Sequence, residues 1–179
     1  MRKITTRQLT FAALLAALAV VLSVHPFTFY LTQSIRITFR EVPIYLCSVT
    51  LGPILGGICS FIADLCGTFI SSSGNAWNPL FALNAVLIGV IPGILMRVLE
   101  PVIRRIPATI VSVAAANVTV SVFLTPLWLY ILGMNGGVPY WTLLLTRLPL
   151  ILVMTVIQIL VILLLTPIVR RWIEGGNKN

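Results

Sequence analysis

The sequence predicts an all-α integral membrane protein, a compact single domain (residues 1–179) of six transmembrane helices with both termini in the cytoplasm. Three observations lead to this fold class. Hydrophobic residues make up 59% of the chain and charged residues 9%, whereas a soluble domain is about 45–50% apolar and about 25% charged. The apolar residues form long runs, and most of the basic residues lie between those runs in short clusters. These few polar side chains cannot cover the surface of a water-soluble protein. Lipid must therefore surround the chain.

Each predicted helix is an apolar segment near the roughly 20 residues that cross a bilayer. The run over 42–71 would be about 45 Å long as one helix, which is too long for a single crossing. Gly52-Pro53 divides it, because proline interrupts a helix and glycine favours a turn. The predicted helices occupy 8–24, the two halves of 42–71, 79–96, 108–132 and 141–169.

Basic residues determine the orientation. Nine of the 12 lysines and arginines fall into three clusters, and six crossings place all three on one side of the membrane. The positive-inside rule makes that side the cytoplasm. The clusters are Arg2, Lys3 and Arg7; Arg97, Arg104 and Arg105; and Arg170, Arg171 and Lys178. The net charge of +8 is therefore a topology signal in a multi-pass plasma-membrane protein, and we expect no nucleic-acid partner.

Five charged residues remain outside the cytoplasmic segments: Arg36, Arg40, Glu41, Asp64 and Arg147. A charge at membrane depth costs about 2.5–3.5 kcal/mol on insertion scales and usually faces a cavity or a partner. The three residues at 36–41 fall between the first two helices or at the mouth of the second, and the other two lie inside helices. This set favours an anionic or zwitterionic solute that enters from outside. The alternative is an internal ion pair of Asp64 with Arg147 or Arg40.

Uncharged polar and aromatic residues extend the predicted site. Arg147 and Gln158 are eleven residues apart, about three turns, so they share a helix face. Trp77, beside Asn78, and Trp128, within the fifth helix, are candidates to stack on a flat ring. The alternative for each polar residue is hydrogen bonding between helices, worth under about 1 kcal/mol apiece. The predicted substrate-binding residues are His25, Arg36, Arg40, Trp77, Asn78, Asn84, Asn117, Trp128, Arg147 and Gln158.

The first helix carries five alanines in eight residues. Ala12, Ala16 and Ala19 share one face, and Ala13 and Ala17 lie on the adjoining stripe. Helices associate in lipid through close backbone approach over small side chains. We therefore expect these alanines to dock a partner, with tight packing inside the protein as the alternative.

The residues exclude the main enzyme classes. The chain has no Walker motif, no HExxH and no G-x-S-x-G, and Asp64 is its only aspartate. One histidine and three cysteines without metal spacing predict no metal or cofactor. The protein is therefore predicted not to be an enzyme, and energy for transport would have to come from elsewhere.

Several short patterns occur along the chain: Ala-x-x-x-Ala at Ala12–Ala16 and Ala13–Ala17, then IRIT, VPI, LGP, ADLCG, LWL and TRLP at 35–38, 42–44, 51–53, 63–67, 127–129 and 146–149. Together they resemble the substrate-binding S components of energy-coupling factor (ECF) vitamin transporters, in their folate branch. The alanine pattern is similar to that family's docking pattern, the segments over 35–67 to its second and third helices, and LWL and TRLP to its fifth and sixth.

The resemblance implies a subunit that captures a vitamin at the outer surface, most similar to folate binders. It implies docking through the first helix onto a transmembrane coupling subunit that two cytosolic ATPase subunits drive. Pantothenate or a queuine-type base is the alternative solute. A stand-alone small carrier or channel is the alternative function.

Overall fold

Six helices and one β hairpin follow one another in a computed structural model that describes residues 5–23, 28–32, 35–70, 78–133 and 136–175. The predicted number and order of helices are confirmed in this part of the chain. The helices are α1 (Thr6–Ser23), α2 (Glu41–Leu51), α3 (Pro53–Ile70), α4 (Pro79–Leu99), α5 (Arg105–Ile131) and α6 (Tyr140–Gly175). The hairpin strands, β1 (Thr28–Thr32) and β2 (Ile35–Thr38), pair antiparallel between α1 and α2.

The second helix is too short to cross a membrane. Its 11 residues extend about 16 Å, about half of the ~30 Å hydrocarbon core. The other five helices are long and apolar enough to span it. One of the six predicted spans is thus corrected to a half-crossing helix, and the connection before it is a β hairpin. Together the hairpin and α2 return the chain from the outer end of α1 to the cytoplasmic side.

The turn between α2 and α3 lies at the predicted Gly52-Pro53. Gly52 adopts φ +102°, a conformation that L side chains rarely adopt, and Pro53 opens α3, where its missing N–H costs nothing. With the turn on the cytoplasmic side, α2 and α3 rise from it together into the bundle. Eight of the eleven α2 residues are buried, so this half-helix forms part of the core.

Small residues bring α2, α3 and α4 into close backbone contact. Gly56 and Gly89 face one another so closely that a Cβ on Gly56 would lie 2.7 Å from Cβ of Ser48 and closer still to the Gly89 carbonyl. The Ser48 hydroxyl donates to the carbonyl oxygen of Gly89 at 2.6 Å, and the Ser60 hydroxyl donates to that of Ala85 at 2.5 Å. In lipid, such close packing and hydrogen bonding hold helices together, since water exclusion does not.

The last two helices differ from their predicted form. Within α5, Val118–Leu124 is a seven-residue π-helical segment. α6 continues to Gly175, well beyond the predicted 169; its 36 residues extend about 54 Å. Many of its apolar side chains point outward, where the bilayer covers them; examples are Leu145, Leu160 and Leu164.

Candidate substrate-binding site

Two charged side chains form an ion pair near half depth of the membrane. Arg40, the residue before α2, places its Nη1 3.2 Å from Oδ1 of Asp64 on α3, and both side chains are about nine-tenths buried. Asp64 is eleven residues from the inner end of α3, which is about 16 Å. The internal pair that we considered as an alternative for Asp64 is therefore present, with Arg40 as its partner.

A chain of amide hydrogen bonds lies at a similar depth and joins three helices. Gln158 of α6 donates from Nε2 to Oε2 of Glu41 at 2.8 Å, and its Oε1 accepts from Nδ2 of Asn117 at 2.8 Å. The Ser121 hydroxyl donates to Oδ1 of Asn117 at 3.3 Å. Gln158 and Asn117 are almost fully buried. Glu41 begins α2, where the positive end of the helix dipole favours a carboxylate.

A second polar group lies between α4 and α5. The indole Nε1 of Trp128 donates to Oδ1 of Asn84 at 2.9 Å, and Nδ2 of Asn84 donates to Oγ1 of Thr125 at 3.2 Å. Asn84 is five residues below the outer end of α4, about 8 Å. The predicted polar residues therefore form separate hydrogen-bonded groups, one between α4 and α5 and the others around Asp64 and Gln158.

Arg147 lies in the outer part of α6. It is seven residues from the outer end at Tyr140, about 10 Å, and its side chain is partly buried. Above it, the ring of Tyr140 meets the rings of Tyr130 and Trp141 edge to face, with centroids 6.4 and 5.7 Å apart. Such aromatic groups at the ends of spanning helices are typical interface anchors.

Four predicted binding residues remain outside the groups described so far. His25 and Trp77, and the side chain of Arg36, lie outside the described residues. The backbone of Arg36 pairs with Tyr30 in the hairpin. Asn78 is the N-cap of α4, and its side chain accepts the Leu80 amide at 2.9 Å. Its carbonyl oxygen thus has a structural role.

The predicted binding residues leave out three participants: Glu41, Ser121 and Thr125. Glu41 is one of the five charged residues that the sequence analysis singled out, but it was not assigned to the site. The two hydroxyl residues carried no signal, because a serine or threonine in an apolar helix commonly bonds its own backbone. Their importance depends on which helices become neighbours.

The predicted docking alanines lie on two sides of α1. Ala12, Ala16 and Ala19 are buried among α1's neighbours, and α1 packs against α2 and α3. They are therefore unavailable to a partner in this conformation, which corrects that part of the prediction. Ala13 and Ala17 are exposed and still form a small-residue stripe on the outer surface of the bundle.

An apolar groove of about 280 Å³ opens between α3 and α4. Carbon side chains line it: Phe61, Pro79, Ala82, Leu83 and Val86. Such a lining offers no donor or acceptor to a water-soluble vitamin, so the groove is not part of the candidate site. Among the described residues, no group of three histidine, cysteine, aspartate or glutamate side chains is arranged to hold a metal ion.

Comparison with known proteins agrees with this architecture. The family described as "ECF transporter, substrate-specific component" matches residues 7–170. A curated relative, the folate transporter FolT of Clostridium novyi (strain NT), is 31% identical over 101 residues, so that the match spans 56% of each chain, about half the length of that relative.

Two solved structures share the fold. A crystal structure of FolT bound with folic acid superposes with a TM-score of 0.72 at 26% identity, covering 91% of this chain and 94% of that one. The S component for biotin from an ECF-type ABC transporter gives a TM-score of 0.72 at 17% identity, over 93% and 94%, and so indicates the fold alone. With a helical membrane bundle and a family match over nearly its whole length, the chain belongs to the substrate-specific components of ECF transporters.

Proposed function

We propose that this substrate-specific component captures folate, or a closely related flat and negatively charged vitamin, from the outer side of the membrane. One observation carries the proposal: polar side chains of α2, α3, α4, α5 and α6 form buried hydrogen-bonded groups inside an otherwise apolar bundle, and one of these groups includes Trp128. Polar groups at membrane depth are costly and usually serve a ligand or a pathway. The similarity to FolT, in sequence and in fold, supports folate among the vitamins.

The chemistry of folate suits this set of residues. Folate has a flat pteridine ring with a donor and acceptor edge, and a glutamate tail with two carboxylates. In our proposal the indole of Trp128 stacks on the pteridine ring, and Asn84 forms hydrogen bonds with the polar edge of that ring. Arg147 and Arg36 attract the carboxylates in this proposal, because a guanidinium matches a carboxylate with two parallel hydrogen bonds.

The buried groups around Asp64 and Gln158 would form part of the wall of the site. Arg40 is neutralised by Asp64, and Gln158 and Asn117 are bonded to each other. A carboxylate that reached Arg40 would have to displace Asp64, at the cost of leaving that acid without its cation. We assign the main anion contact to Arg147, whose side chain is partly exposed in the outer part of α6, and a closing role to Arg40, Asn117 and Gln158. We further propose that His25, Trp77 and Asn78 contribute ligand contacts.

Energy for uptake would come from partner subunits. No phosphate-binding motif is present in the sequence, so we propose docking onto a transmembrane coupling subunit that two cytosolic ATPase subunits drive. The exposed stripe of Ala13 and Ala17 on α1 offers the close approach that such docking needs.

A ligand panel tests the substrate. Folic acid, pteroic acid (which lacks the glutamate), biotin, pantothenate and queuine would each be titrated into the purified protein by calorimetry. We expect folic acid to bind tightest, and Arg147→Gln to weaken it at least 30-fold, equivalent to about 2 kcal/mol. Arg104→Gln in the exposed cytoplasmic loop is the control and should bind normally.

The panel also separates the alternatives. Preference for pantothenate or queuine over folic acid would assign another vitamin to the same scaffold. A stand-alone carrier would transport solute in liposomes that contain this protein and no ATPase, and that result would overturn the proposed dependence on partners.

A further inference from the structure

The widened turn in α5 lies directly beside the tryptophan of the candidate site. In the π-helical segment Val118–Leu124, the helix ends with the Thr125 amide donating to the carbonyl of Val120, five residues earlier. The Thr125 hydroxyl donates to the same carbonyl at 3.0 Å. Pro126 follows, and it has no N–H to continue the α-helical pattern. The wider turn allows α5 to continue past this proline, and π-helical turns are frequently found at functional sites.

Thr125 is also the anchor of a hydrogen-bond chain that ends on the indole. Its oxygen donates to Val120, so its lone pairs are left to accept, and it accepts from Nδ2 of Asn84 at 3.2 Å. That bond fixes the orientation of the Asn84 amide, with Nδ2 directed toward Thr125 and Oδ1 away from it. The amide oxygen is then presented to Nε1 of Trp128 at 2.9 Å. Each group in the chain has one orientation because the previous group sets it.

We infer that Thr125, held by the π-helical turn, is a positioning residue that sets the orientation of the Trp128 indole for stacking on a flat ligand ring. This inference rests on the proposed function of Trp128. Trp128 is three residues after Thr125, so the two side chains share a face of α5. Because Asn84 engages the only polar atom of the indole, Trp128 recognises a ligand through its ring surface. It therefore favours flat heteroaromatic compounds as a class and discriminates little among them.

A purely structural role for Thr125 makes different predictions. If the hydroxyl only stabilises α5, its removal lowers the stability of the protein and leaves the indole unchanged. If it orients Asn84, its removal changes the environment of the indole N–H even without ligand. The second readout distinguishes a positioning role from a structural one.

The test uses the native protein as the parent, and the indole N–H resonance of Trp128 is assigned as the one that disappears in Trp128→Phe. The nitrogen-15 and proton shifts of the indole N–H are measured by NMR without ligand, and the affinities for folic acid and pteroic acid by calorimetry. Thr125→Val keeps the shape of the side chain and removes the hydroxyl, and Thr125→Ser restores the hydroxyl. Thr166→Val is the matched control, since Thr166 also donates to a helix carbonyl, that of Ile162 at 2.6 Å, away from the site.

We expect Thr125→Val to shift or broaden the indole resonance and to weaken both ligands to a similar extent, about tenfold, the equivalent of one hydrogen bond. Thr125→Ser and Thr166→Val should match the parent protein in both measurements. An unchanged resonance in Thr125→Val, or equal effects of valine and serine, would overturn the inference. If Thr125→Val does not fold, Thr125→Ala, which also removes the hydroxyl, takes its place with the same readouts. If the parent protein binds neither ligand, the proposed function fails, and the resonance still decides whether Thr125 orients the indole.

Discussion

Replacing Asp64 by asparagine tests the energetics of the half-depth ion pair. The Arg40–Asp64 distance is 3.2 Å and both side chains are only about a tenth exposed, so solvent screens the pair weakly. At an effective dielectric constant of about 20, two unit charges at this distance attract by about 5 kcal/mol. Removing one member of a buried pair costs about 3–5 kcal/mol, because the other charge stays buried. Asparagine keeps one acceptor oxygen, so we expect the lower value, about 3 kcal/mol.

The assay is reversible unfolding of the purified protein in mixed micelles, with helix content as the signal. Glu100→Gln is the control, since it breaks the exposed pair with Arg105 at the cytoplasmic turn and should cost under about 1 kcal/mol. The double variant Arg40→Met with Asp64→Leu removes both charges and should recover most of the lost stability. Asp64→Asn with unchanged stability, or a double variant no more stable than the single one, would refute this reasoning.

Three further predictions concern packing, docking and the amide chain. Gly56→Ala should destabilise the bundle by about 1–3 kcal/mol, because the added methyl meets backbone of the neighbouring helix; thermal unfolding would show it, and an unchanged midpoint would contradict the close approach. Ala17→Trp should block co-purification with the coupling module and leave ligand binding unchanged. Ala16→Trp should instead destabilise the protein itself, since Ala16 is buried. If the two variants behave alike, the buried and exposed alanines of α1 do not have different roles. Gln158→Leu should lower the free energy of unfolding by about 1–3 kcal/mol, because the Glu41 carboxylate loses the Gln158 donor. If chemical unfolding shows no loss of stability, this hydrogen bond makes no net contribution.

The docking prediction has a matched control. Leu160→Trp places the same bulky ring on another lipid-facing position, on α6, where the side chain is well exposed. We expect Leu160→Trp to assemble normally. If Leu160→Trp also blocks co-purification, the loss of assembly is caused by the size of the introduced indole and not by its position on the alanine stripe.

The sequence predicted those features that follow from one-dimensional patterns. Apolar runs of nearly membrane length located five spanning helices, Gly52-Pro53 located the turn between α2 and α3, and the cationic clusters indicated the orientation. These signals are local or depend only on the order of segments along the chain. The family resemblance rests on the same segments and is confirmed by the match over residues 7–170.

Features that depend on which helices become neighbours were harder to predict. The stretch after Glu41 is apolar throughout, so the sequence does not show that it begins at half depth as a short buried helix. The pairing of Asn117 with Gln158 joins residues 41 positions apart, and no periodicity in either helix indicates it. Ala12 and Ala13 are adjacent in sequence, yet one is buried and the other exposed; only the packing of α1 on α2 and α3 separates their roles.

The central claim is that the bundle holds a folate-like vitamin, and its most direct test is the ligand that the native protein carries. The protein would be purified under gentle conditions from cells grown with folate, denatured, and its small molecules identified and quantified by mass spectrometry against the protein concentration. We predict a folate in near-equimolar amount, reduced in parallel with affinity in Arg147→Gln. A different vitamin at that stoichiometry, or no bound molecule even after incubation with excess folic acid, would contradict the account.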